Sequence, residues 1–540
     1  MTGVAAAFRA SVTAWGERPF LRILPETASV YGEAPGTISY AAAARQMAAL
    51  EAGYRAAGYG PGHRVGLMLE NRPAFFLHWL ALNACGASVV PLNPDLRPAE
   101  LDYLIGHSGL VLAVTAGPHL PAIRAAAGRA AAARAAHPVA VIAPDEAPPV
   151  PPQAWPGVDE CALLYTSGTT GKPKGCVLGN AYFLRAGAWY IGTGGLCAIR
   201  PGADCLITPL PMTHMNAMAY STMAMLMSGG CIVPLDRFHP RSWWDSVQES
   251  QASIVHYLGV MPSMLLGLPG DPRDAQHAVR FGFGAGVDRR HHAVFEARFG
   301  FPLLEAWAMT ETGAGAIIIA NREPRQVGMA SFGAPEPAVQ LRIVDEAGRD
   351  VADGAPGEML VRAAGPDPRA GFFTAYLHDP AATEAAWAGG WFHTGDVVRR
   401  APGGEMVFVD RRKNVIRRSG ENIAAVEVES VLRRHPAIRD VAVAATPDDL
   451  RGEEVLACVV AREPPAAEAR EALAADIVQA ALAEISYFKV PGYVVFVDAL
   501  PLTATQKIQR GELKRLARGL PGTPGCIDTR RLKRQSQPVS

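Results

Sequence analysis

The chain of 540 residues is long enough for several domains, and its 49% of hydrophobic residues can fill large buried cores. Lys and Arg together number 51, and so do Asp and Glu. This balance gives no overall charge that would attract nucleic acid or an anionic membrane, so neither is predicted as a partner. Any site for an anion must therefore be local.

The eight cysteines are scattered, without a Cys-x-x-Cys pair or a Cys/His cluster at metal-ligand spacing. Such thiols are typical of reducing compartments, which predicts a cytoplasmic protein, and the N-terminal residues do not resemble a signal peptide. Residues 205–235 contain no Asp, Glu, Lys or Arg, but Pro209, Pro211 and Pro234 interrupt them. We therefore expect buried core elements there rather than membrane insertion.

Short β-rich runs alternate with helical patterns through the first three hundred residues. Strands are predicted at 64–68, 87–91, 205–208, 253–257, 279–283 and 303–304, and helices at 75–83, 99–106 and 122–136. Strands that alternate with longer helices favour βαβ units and mainly parallel sheets. Beyond Gly333, alternating strands such as 340–344 and 358–362 predict an antiparallel, barrel-like subdomain.

The run of four charges from Asp410 to Lys413 predicts a solvated hinge. After it, a helix at 425–434, strands at 441–445 and 455–460 and a helix at 466–484 can form a small core of their own. The predicted fold class is thus α/β: a large N-terminal domain of βαβ-type sheets with a β-barrel-like subdomain, and a small, mobile α+β C-terminal domain. The predicted boundaries are 1–409 for the N-terminal domain, 410–413 for the hinge, 414–518 for the C-terminal domain and 519–540 for a disordered tail.

The most informative segment is a loop between two apolar β-runs, 163–165 and 176–178. Its candidate anion ligands are Thr166, Ser167, Gly168, Thr169, Thr170, Gly171, Lys172 and Lys174. Backbone N–H groups, hydroxyls and lysines in such a loop can surround a phosphate. The Walker A spacing is not met, because Pro173 stands where that pattern requires Gly. The alternative is an ordinary flexible hairpin, but ordinary turns seldom combine so many Gly, hydroxyl and Lys residues.

This loop resembles the signature T-S-G-T-T-G-x-P-K-G of the adenylate-forming enzymes, which include acyl- and aryl-CoA synthetases, luciferases and peptide-synthetase adenylation domains. The resemblance extends from about residue 35 to about residue 515, with the family's motifs in their usual order. It implies binding of ATP and Mg²⁺ at this loop, with Thr170 and Glu311 as metal ligands.

Several further motifs carry the resemblance into the nucleotide site. Trp307-Ala308-Met309-Thr310-Glu311 resembles the family's aromatic-Gly-x-Thr-Glu motif, which implies that Trp307 flanks adenine, that Thr310 contacts phosphate and that Glu311 binds Mg²⁺. Gly284, Ala285 and Gly286 resemble the segment that lies along adenine. Asp396 in W-x-x-T-G-D resembles the acceptor of the two ribose hydroxyls. In isolation, these segments would be interpreted as a helix start, a plain turn and a turn cap.

The remaining motifs imply catalysis and domain motion. His214 in P-x-x-H resembles the residue between the carboxylate and the phosphates, although a lone His is more often a core residue. Arg411 resembles a ribose or phosphate contact, and Lys413 resembles the pivot of the C-terminal domain. Lys507 resembles the lysine that bridges the substrate carboxylate and the α-phosphate, and Gln506 replaces the usual Gly before it.

The resemblance also implies a second half-reaction with coenzyme A. Gly420, Glu421 and Asn422 resemble the loop that enters the site for thioester formation. Phe488 and Lys489 resemble the CoA-ligase [YF]-K-x-P segment. The implied reaction is carboxylate plus MgATP to acyl-adenylate and pyrophosphate, and then thiolysis by CoA with release of AMP. This is the activity of an AMP-forming acid–thiol ligase.

The candidate acid pocket is formed by Met215, Asn216, His256, Tyr257, Gly259, Ala308 and Gly313. None of these side chains is Arg or Lys, so a dicarboxylate has no evident partner. The segments at 237–243 and 283–288 most resemble the carnitine/crotonobetaine-CoA ligase group, which predicts a short or medium acid, polar acids included. An aromatic acid, handled by an aryl-CoA ligase of the same mechanism, is the alternative, and a non-catalytic nucleotide sensor or scaffold is a different class. The protein is expected to be a monomer or homodimer.

Overall fold

A computed structural model describes residues 3–134, 139–152, 154, 159–166, 172–345, 347–411, 415–501, 508 and 510–534 of the chain. Backbone contacts divide the chain into two compact units. Unit 1 comprises Met1–Pro94, Leu104–Tyr165 and Gly175–Asp410. Unit 2 comprises Asp95–Tyr103, Thr166–Lys174 and Arg411–Ser540.

Most strands are short, and the longest of those described, Ile438–Asp448, has 11 residues. In chain order they are β1 Pro19–Ile23, β2 Gly36–Ser39, β3 Arg64–Met68, β4 Ser88–Pro91, β5 Leu112–Thr115, β6 Ala140–Ile142, β7 Ala162–Thr166, β8 Lys174–Leu178, β9 Cys205–Thr208, β10 Cys231–Pro234, β11 Ile254–Leu258, β12 Phe281–Ala285, β13 Leu303–Trp307, β14 Ile318–Ile319, β15 Val339–Val344, β16 Gly357–Ala363, β17 Ala375–Tyr376, β18 Phe392–Arg400, β19 Met406–Arg411, β20 Val415–Arg418, β21 Glu421–Ala424, β22 Ile438–Asp448, β23 Gly452–Ala461, β24 Tyr493–Phe496 and β25 Cys526–Asp528.

The helices connect these strands. In chain order they are α1 Val4–Trp15, α2 Pro25–Tyr31, α3 Tyr40–Ala57, α4 Pro73–Cys85, α5 Pro98–Ser108, α6 Leu120–Arg134, α7 Asn180–Gly192, α8 Thr222–Ser228, α9 Trp243–Ser250, α10 Val260–Leu266, α11 His292–Phe299, α12 Pro380–Ala386, α13 Ala425–Leu432, α14 Arg470–Glu484, α15 Arg510–Gly519 and α16 Arg530–Arg534. A π-helical turn, Asn216–Ser221, leads directly into α8. None of the helices described is both long enough and apolar enough to span a membrane.

Unit 1 contains two large sheets, and both are mainly parallel. The order in the first is β14-β13-β12-β11-β9-β10-β1-β2, with antiparallel strands only at its two edges. The order in the second is β17-β8-β7-β4-β3-β5-β6. Parallel strands need crossover connections, and the helices between them supply these. The prediction of βαβ-type sheets is confirmed, and the carboxyl ends of β11, β12 and β13 lie side by side.

The antiparallel part predicted beyond Gly333 is a four-stranded sheet in the order β15-β16-β18-β19. The W-x-x-T-G-D motif begins at Trp391, directly before β18, and ends at Asp396 within that strand. Gly395 has a left-handed φ of 68°, a conformation that glycine adopts without strain, and it follows Thr394 directly.

Unit 2 is built on a six-stranded sheet, with the path β21-β20-β23-β24-β25 and with β22 paired to β23. Alternate residues of β22 point to opposite faces: Val441 and Val443 belong to one apolar cluster, and Ala442 and Ala444 belong to another. Helices α13 and α14 contribute to the first cluster and α15 to the second. Both faces of this sheet are therefore buried within unit 2.

The prediction of a disordered tail from residue 519 is wrong for the residues up to 534. Strand β25 pairs antiparallel with β24, and α16 follows it. Lys533 on α16 is 2% exposed, and its Nζ donates to Oε1 of Glu454 at 2.7 Å. The Pro/Gly-rich composition suggested disorder, but a buried carboxylate on β23 needs cationic partners, and the tail supplies one of them.

Candidate active site

Two glycine-rich segments allow the ends of β11 and β12 to approach closely. The N–H of Gly259 donates to the carbonyl of Ala285 at 2.9 Å, and a Cβ on Gly259 would overlap the backbone of Gly286. A Cβ on Gly284 would likewise overlap the carbonyl of Tyr257. Gly286 has a left-handed φ of 80° and open space beside it. The predicted adenine segment is thus a strand end where backbone, rather than side chains, faces the site.

Trp307 and Asp396 are joined by a direct hydrogen bond, although 89 residues separate them in sequence. The indole Nε1–H of Trp307 donates to Oδ2 of Asp396 at 2.8 Å. Asp396 is fully buried and Trp307 is 6% exposed. Because a buried carboxylate must be hydrogen-bonded, Trp307 holds Asp396 in place at the predicted ribose position.

The turn that carries Asp396 is fixed by hydrogen bonds of Thr394. The hydroxyl of Thr394 donates to the carbonyl of Met359 at 2.6 Å and accepts from the N–H of Asp396 at 3.0 Å. The first of these bonds connects β18 to its neighbour β16, and the second lies within β18. The Thr and Asp of the motif therefore have different tasks: Thr394 anchors the turn, and Asp396 faces Trp307.

Glu311, the predicted metal ligand, is oriented by a residue that the sequence analysis missed. The hydroxyl of Tyr376 donates to Oε1 of Glu311 at 2.9 Å, and the main-chain carbonyl of Glu311 accepts from the N–H of Phe373 at 2.9 Å. Burial and the charge of Glu311 raise the pKa of the Tyr376 phenol well above its usual value. Tyr376 lies on β17, which pairs with β8 beyond the phosphate loop.

Tyr182 was also missed, and it holds the preceding residue. Its hydroxyl donates to the carbonyl of Thr310 at 2.9 Å, and its ring occupies the position that a Cβ on Gly313 would need. The hydroxyl of Thr312 accepts from the N–H of Met309 at 3.0 Å and closes the turn. A pattern search could have marked Tyr182 only as an aromatic residue on an amphipathic helix, without a partner.

His214 is half-buried and lies two residues before the π-helical turn Asn216–Ser221. Its carbonyl accepts from the N–H of Met218 at 3.1 Å. The segment before it is fixed by Asn71, whose Oδ1 accepts from the N–H of Met212 at 2.9 Å and whose Nδ2 donates to the carbonyls of Leu210 and Leu235. The backbone leading to His214 is therefore held by a buried amide from another part of unit 1.

His256 was predicted to line the acid pocket, and the structure buries it completely. Its Nδ1 lies 2.6 Å from Oδ1 of Asn216 and 2.8 Å from Oγ of Ser221, and the hydroxyl of Tyr190 lies 3.0 Å from Nε2. Burial lowers the pKa of His256 to about 3, so the ring is neutral at pH 7. An amide oxygen only accepts, so Nδ1 carries the proton and Tyr190 donates to Nε2. We expect His256 to orient the Asn216 side chain through this hydrogen bond.

The other predicted pocket residues differ in exposure. Tyr257 is 1% exposed and its hydroxyl donates to the carbonyl of Leu304 at 3.3 Å, so its side chain belongs to the core. Met215, Asn216 and Ala308 are half-buried, and Gly313 is buried. A direct contact of each with an acid stays a prediction.

The phosphate loop itself, Ser167 to Gly171, lies outside the described residues, and so do Lys413 and Lys507. The flanks of the loop are described: Thr166 ends β7, and Lys174 begins β8. Within unit 2, Nζ of Lys172 lies 5.3 Å above the ring of Tyr103, whose hydroxyl donates to the carbonyl of Pro173 at 3.0 Å. Arg411 is the last residue of β19.

The predicted thioester loop is a tight hairpin turn in unit 2. Arg418 on β20 pairs with Glu421 on β21, and the two residues between them, Ser419 and Gly420, both have positive φ. Two consecutive left-handed residues form the turn that best fits a two-residue hairpin. Asn422 continues β21. The base of this turn is braced because Nε of Arg418 donates to Oε2 of Glu454 at 2.8 Å.

Lys489, predicted to contact CoA, is engaged by two carboxylates of unit 2. Its Nζ lies 2.5 Å from Oε1 of Glu100 and 2.7 Å from Oε1 of Glu427, and these charges outweigh burial and raise its pKa. Phe488 is buried and packs edge-on against Tyr487. A CoA contact of Lys489 stays a prediction and would require this ion pair to open.

Oxygen ligands suit Mg²⁺, which proteins hold through one or two carboxylates together with phosphate oxygens of the substrate. The buried, oriented carboxylate of Glu311 fits this role. Within the described ranges, no group of three or more His, Cys, Asp or Glu could hold a metal ion. A metal bound at Glu311 would thus share its coordination with the nucleotide.

Comparison with known proteins agrees with this arrangement. The family profile "AMP-binding enzyme" matches residues 9–368, and "AMP-binding enzyme C-terminal domain" matches residues 427–507. Sulfoacetate–CoA ligase of Cupriavidus necator is 33% identical over 528 residues, which cover 94% of this chain and 97% of that protein. Crotonobetaine/carnitine–CoA ligase of Citrobacter koseri is 30% identical over 509 residues, which cover 91% and 96%.

Solved structures share the fold over nearly the whole chain. A malonyl-CoA ligase in complex with methylmalonyl-CoA and AMP is 26% identical, with a TM-score of 0.71 and coverage of 90% of this chain and 97% of that chain. An o-succinylbenzoate CoA synthetase from Bacillus subtilis has a TM-score of 0.78 at 22% identity, with coverage of 94% and 98%. The chain belongs to the AMP-binding enzymes, the adenylate-forming superfamily that its motifs resemble.

Proposed function

We propose that this protein is an ATP-dependent carboxylate–CoA ligase that acts on a short or medium, polar carboxylic acid. The proposal rests on the family, on the CoA ligases among its relatives and on the geometry of unit 1. The observation that carries it is the oriented pair of carboxylates, Glu311 held by Tyr376 and Asp396 held by Trp307. Each occupies its motif position, and each has a dedicated donor.

The nucleotide is bound by backbone and carboxylate groups. The Gly284–Gly286 strand end offers its backbone to the adenine, beside Trp307. Asp396 accepts hydrogen bonds from the ribose hydroxyls, and Trp307 keeps its carboxylate oriented while it does so. Lys172 and Lys174 offset the charge of the phosphates, and the hydroxyls of the phosphate loop donate hydrogen bonds to them, as the family motif implies.

Mg²⁺ is proposed at Glu311, with Thr170 as a second ligand on the strength of the motif. When bound, the ion offsets negative charge on the phosphate oxygens as pyrophosphate leaves. Tyr376 restricts Glu311 to one orientation, so that its carboxylate points to the same place in each turnover.

In the first half-reaction, a carboxylate oxygen of the acid attacks the α-phosphorus of ATP, and the bond to the bridging oxygen of pyrophosphate breaks. Two anions must meet, so cations are required on both sides. Lys507 is proposed to bridge them, His214 to lie between carboxylate and phosphate, and Thr310 to contact phosphate. Tyr182 fixes the carbonyl of Thr310 and thereby the position of its side chain.

In the second half-reaction, the thiol of CoA loses its proton and attacks the acyl carbon, and AMP leaves with the electrons of the broken C–O bond. The turn at Ser419–Gly420, followed by Glu421 and Asn422, is proposed to face this step. Arg411 is proposed to contact ribose or phosphate and Lys413 to act as the pivot between the two half-reactions. The pivot also predicts that Lys413→Pro spares one half-reaction and blocks the other.

The compartment is proposed to be the cytoplasm, because the eight cysteines are thiols rather than disulfides, as is usual in a reducing environment. A monomer or homodimer remains the proposed assembly.

The experiment is acid-dependent pyrophosphate release over a panel of short, polar, aromatic and fatty acids, followed by mass-spectrometric detection of the acyl-CoA. We expect AMP, pyrophosphate and thioester in equal amounts with at least one polar acid. Glu311→Gln should abolish release while the protein still binds ATP. ATP binding without release for any acid would instead favour the nucleotide sensor, and preference for aromatic acids would favour the aryl-CoA ligase.

A further inference from the structure

The hydroxyl of Tyr220 is a buried polar group that the nucleotide site does not use. The side chain is 1% exposed, and no hydrogen-bond partner for its oxygen exists among the residues that the structure describes. A buried hydroxyl without a partner destabilises a protein by about 1–3 kcal/mol, so native structures rarely keep one unless a ligand or water satisfies it.

Tyr220 lies next to both the carboxylate and the adenine segments. It belongs to the π-helical turn Asn216–Ser221, which begins two residues after His214. Its ring centroid is 6.1 Å from that of Phe283, the residue before Gly284, and 5.6 Å from that of Trp189. Single π-helical turns inside helices frequently mark functional sites.

A third connection leads to the Thr310–Gly313 turn. Trp189, which packs against the Tyr220 ring, lies on α7, and Tyr182 on the same helix donates to the carbonyl of Thr310. The Tyr182 ring also contacts Gly313, which was predicted to line the acid pocket. The Tyr220 side chain therefore packs against the end of β12 and against α7, whose Tyr182 holds the Thr310–Gly313 turn.

Two further neutral donors stand on the same stretch of chain. Oγ1 of Thr213 is buried and has no hydrogen-bond partner within the described residues. The Oδ1 atom of Asn216 is held by His256, which directs the Nδ2 donors away from that ring. His256 is neutral, and Tyr220, Thr213 and Asn216 have uncharged side chains. These three residues thus offer hydrogen-bond donors without positive charge.

We propose that Tyr220 is a specificity-determining residue whose hydroxyl donates a hydrogen bond to an acceptor oxygen on the chain of the acid, remote from its reacting carboxylate. The substrate class is a short acid with a hydroxyl, carbonyl or sulfonate oxygen at that position. This inference rests on the ligase function proposed above and narrows its substrate. Thr213 and Asn216 supply additional donors to the same oxygen-bearing group.

The test uses acids of matched shape. Sulfoacetate, 3,3-dimethylbutanoate and glycine betaine have tails of similar shape but different charge. The tail of sulfoacetate is an anionic hydrogen-bond acceptor, that of 3,3-dimethylbutanoate is apolar, and that of glycine betaine is cationic. At a greater chain length, 4-hydroxybutanoate and pentanoate differ only in a hydroxyl against a methyl group. The readout is the ratio of kcat/KM for pyrophosphate release within each set, measured on the full-length protein and on Tyr220→Phe. A ratio does not depend on the fraction of active enzyme.

We expect the wild-type protein to prefer the acceptor-bearing acid in at least one set, because a site built to hydrogen-bond an oxygen discriminates against its apolar analogue. In Tyr220→Phe, that preference should fall by about 10- to 100-fold for a sulfonate and about 3- to 10-fold for a neutral hydroxyl. The apolar analogue should be used as well as before, or better. The melting temperature without acid should not fall, since the lost hydroxyl has no protein partner.

Tyr54→Phe is the matched control, because it removes a buried hydroxyl that bonds to His78 outside the site. It should change stability and leave every ratio unchanged. Unchanged ratios in Tyr220→Phe would overturn the inference while leaving the ligase function intact. A preference for glycine betaine that persists in Tyr220→Phe would overturn it in favour of cation recognition by the aromatic rings. Absence of release with every acid would refute the ligase function itself, and the inference with it.

Discussion

Because Tyr376 donates a hydrogen bond to Glu311, we predict that the Tyr376 hydroxyl controls the rate of adenylate formation. Tyr376 belongs to none of the family motifs named above. Tyr376→Phe removes the hydroxyl and keeps the ring, which packs against Phe373 with centroids 4.7 Å apart. The bond is 2.9 Å long and its acceptor is a carboxylate that is 6% exposed, so water cannot easily replace the donor. Hydrogen bonds to charged groups contribute about 1.5–3 kcal/mol, which corresponds to about 10- to 100-fold in rate.

The assay is pyrophosphate release in the presence of a saturating acid, measured over a series of Mg²⁺ concentrations. If Tyr376 orients Glu311 for the metal, Tyr376→Phe should need more Mg²⁺ for half-maximal rate, and high Mg²⁺ should restore part of the activity. Thiolysis of supplied acyl-adenylate by CoA should change little, because that step does not expel pyrophosphate. Tyr54→Phe again serves as the control for loss of a buried hydroxyl.

The reasoning would be refuted by release within threefold of the wild-type rate at every Mg²⁺ concentration. It would also be refuted if Tyr376→Phe lowered both half-reactions equally and shifted the melting temperature by the same proportion. That pattern would show that Tyr376 supports the fold of unit 1 rather than the orientation of Glu311.

Three further predictions concern other contacts. Trp307→Phe should weaken ATP binding by about 3- to 30-fold in calorimetric titration, because it removes the hydrogen bond from the indole to Asp396. Unchanged affinity would contradict that role. The pKa of buried His256 is about 3 in the folded chain and about 6.5 when unfolded, so its contribution to the free energy of unfolding is complete above pH 6.5 and falls as the pH drops. Urea unfolding should show about 2 kcal/mol of this loss between pH 7 and pH 5, and a His256→Gln variant with the same pH dependence would contradict it. Glu454→Gln should destabilise unit 2 more than Lys533→Met does. The first change leaves two buried cations, Arg418 and Lys533, without their carboxylate, whereas the second keeps the Arg418–Glu454 ion pair. The opposite order of melting temperatures would disprove this.

Local sequence was sufficient for the features that depend on consecutive residues. The strands at 64–68 and 205–208 were predicted with the bounds that the structure has, because β-branched and apolar runs between turn residues specify a buried strand by themselves. The motifs at 307–311 and 391–396 led to the family, because the chemistry of a nucleotide site requires particular side chains at short, constant spacing.

The partners of those motif residues could not be predicted in this way. Tyr376 meets Glu311 across 65 residues, Trp307 meets Asp396 across 89, and Lys489 meets Glu100 across 389. The residue pattern within one segment cannot predict these contacts. They result from the strand order in the sheets and from the packing of segments that are distant in the chain. The roles of Lys413, Lys507 and the loop from Ser167 to Gly171 stay predictions from their motifs.

The sequence by itself therefore determined which candidate groups this protein has: a glycine- and hydroxyl-rich loop, an acidic residue proposed for a metal, another proposed for a ribose, and a C-terminal lysine. Only the tertiary structure decided how these groups are held and which buried groups have no partner, as it did for Lys533 in a tail that appeared disordered by composition. The physical reason is that a side chain's identity is local, whereas its hydrogen-bond partner, its burial and its pKa depend on what the rest of the fold brings next to it.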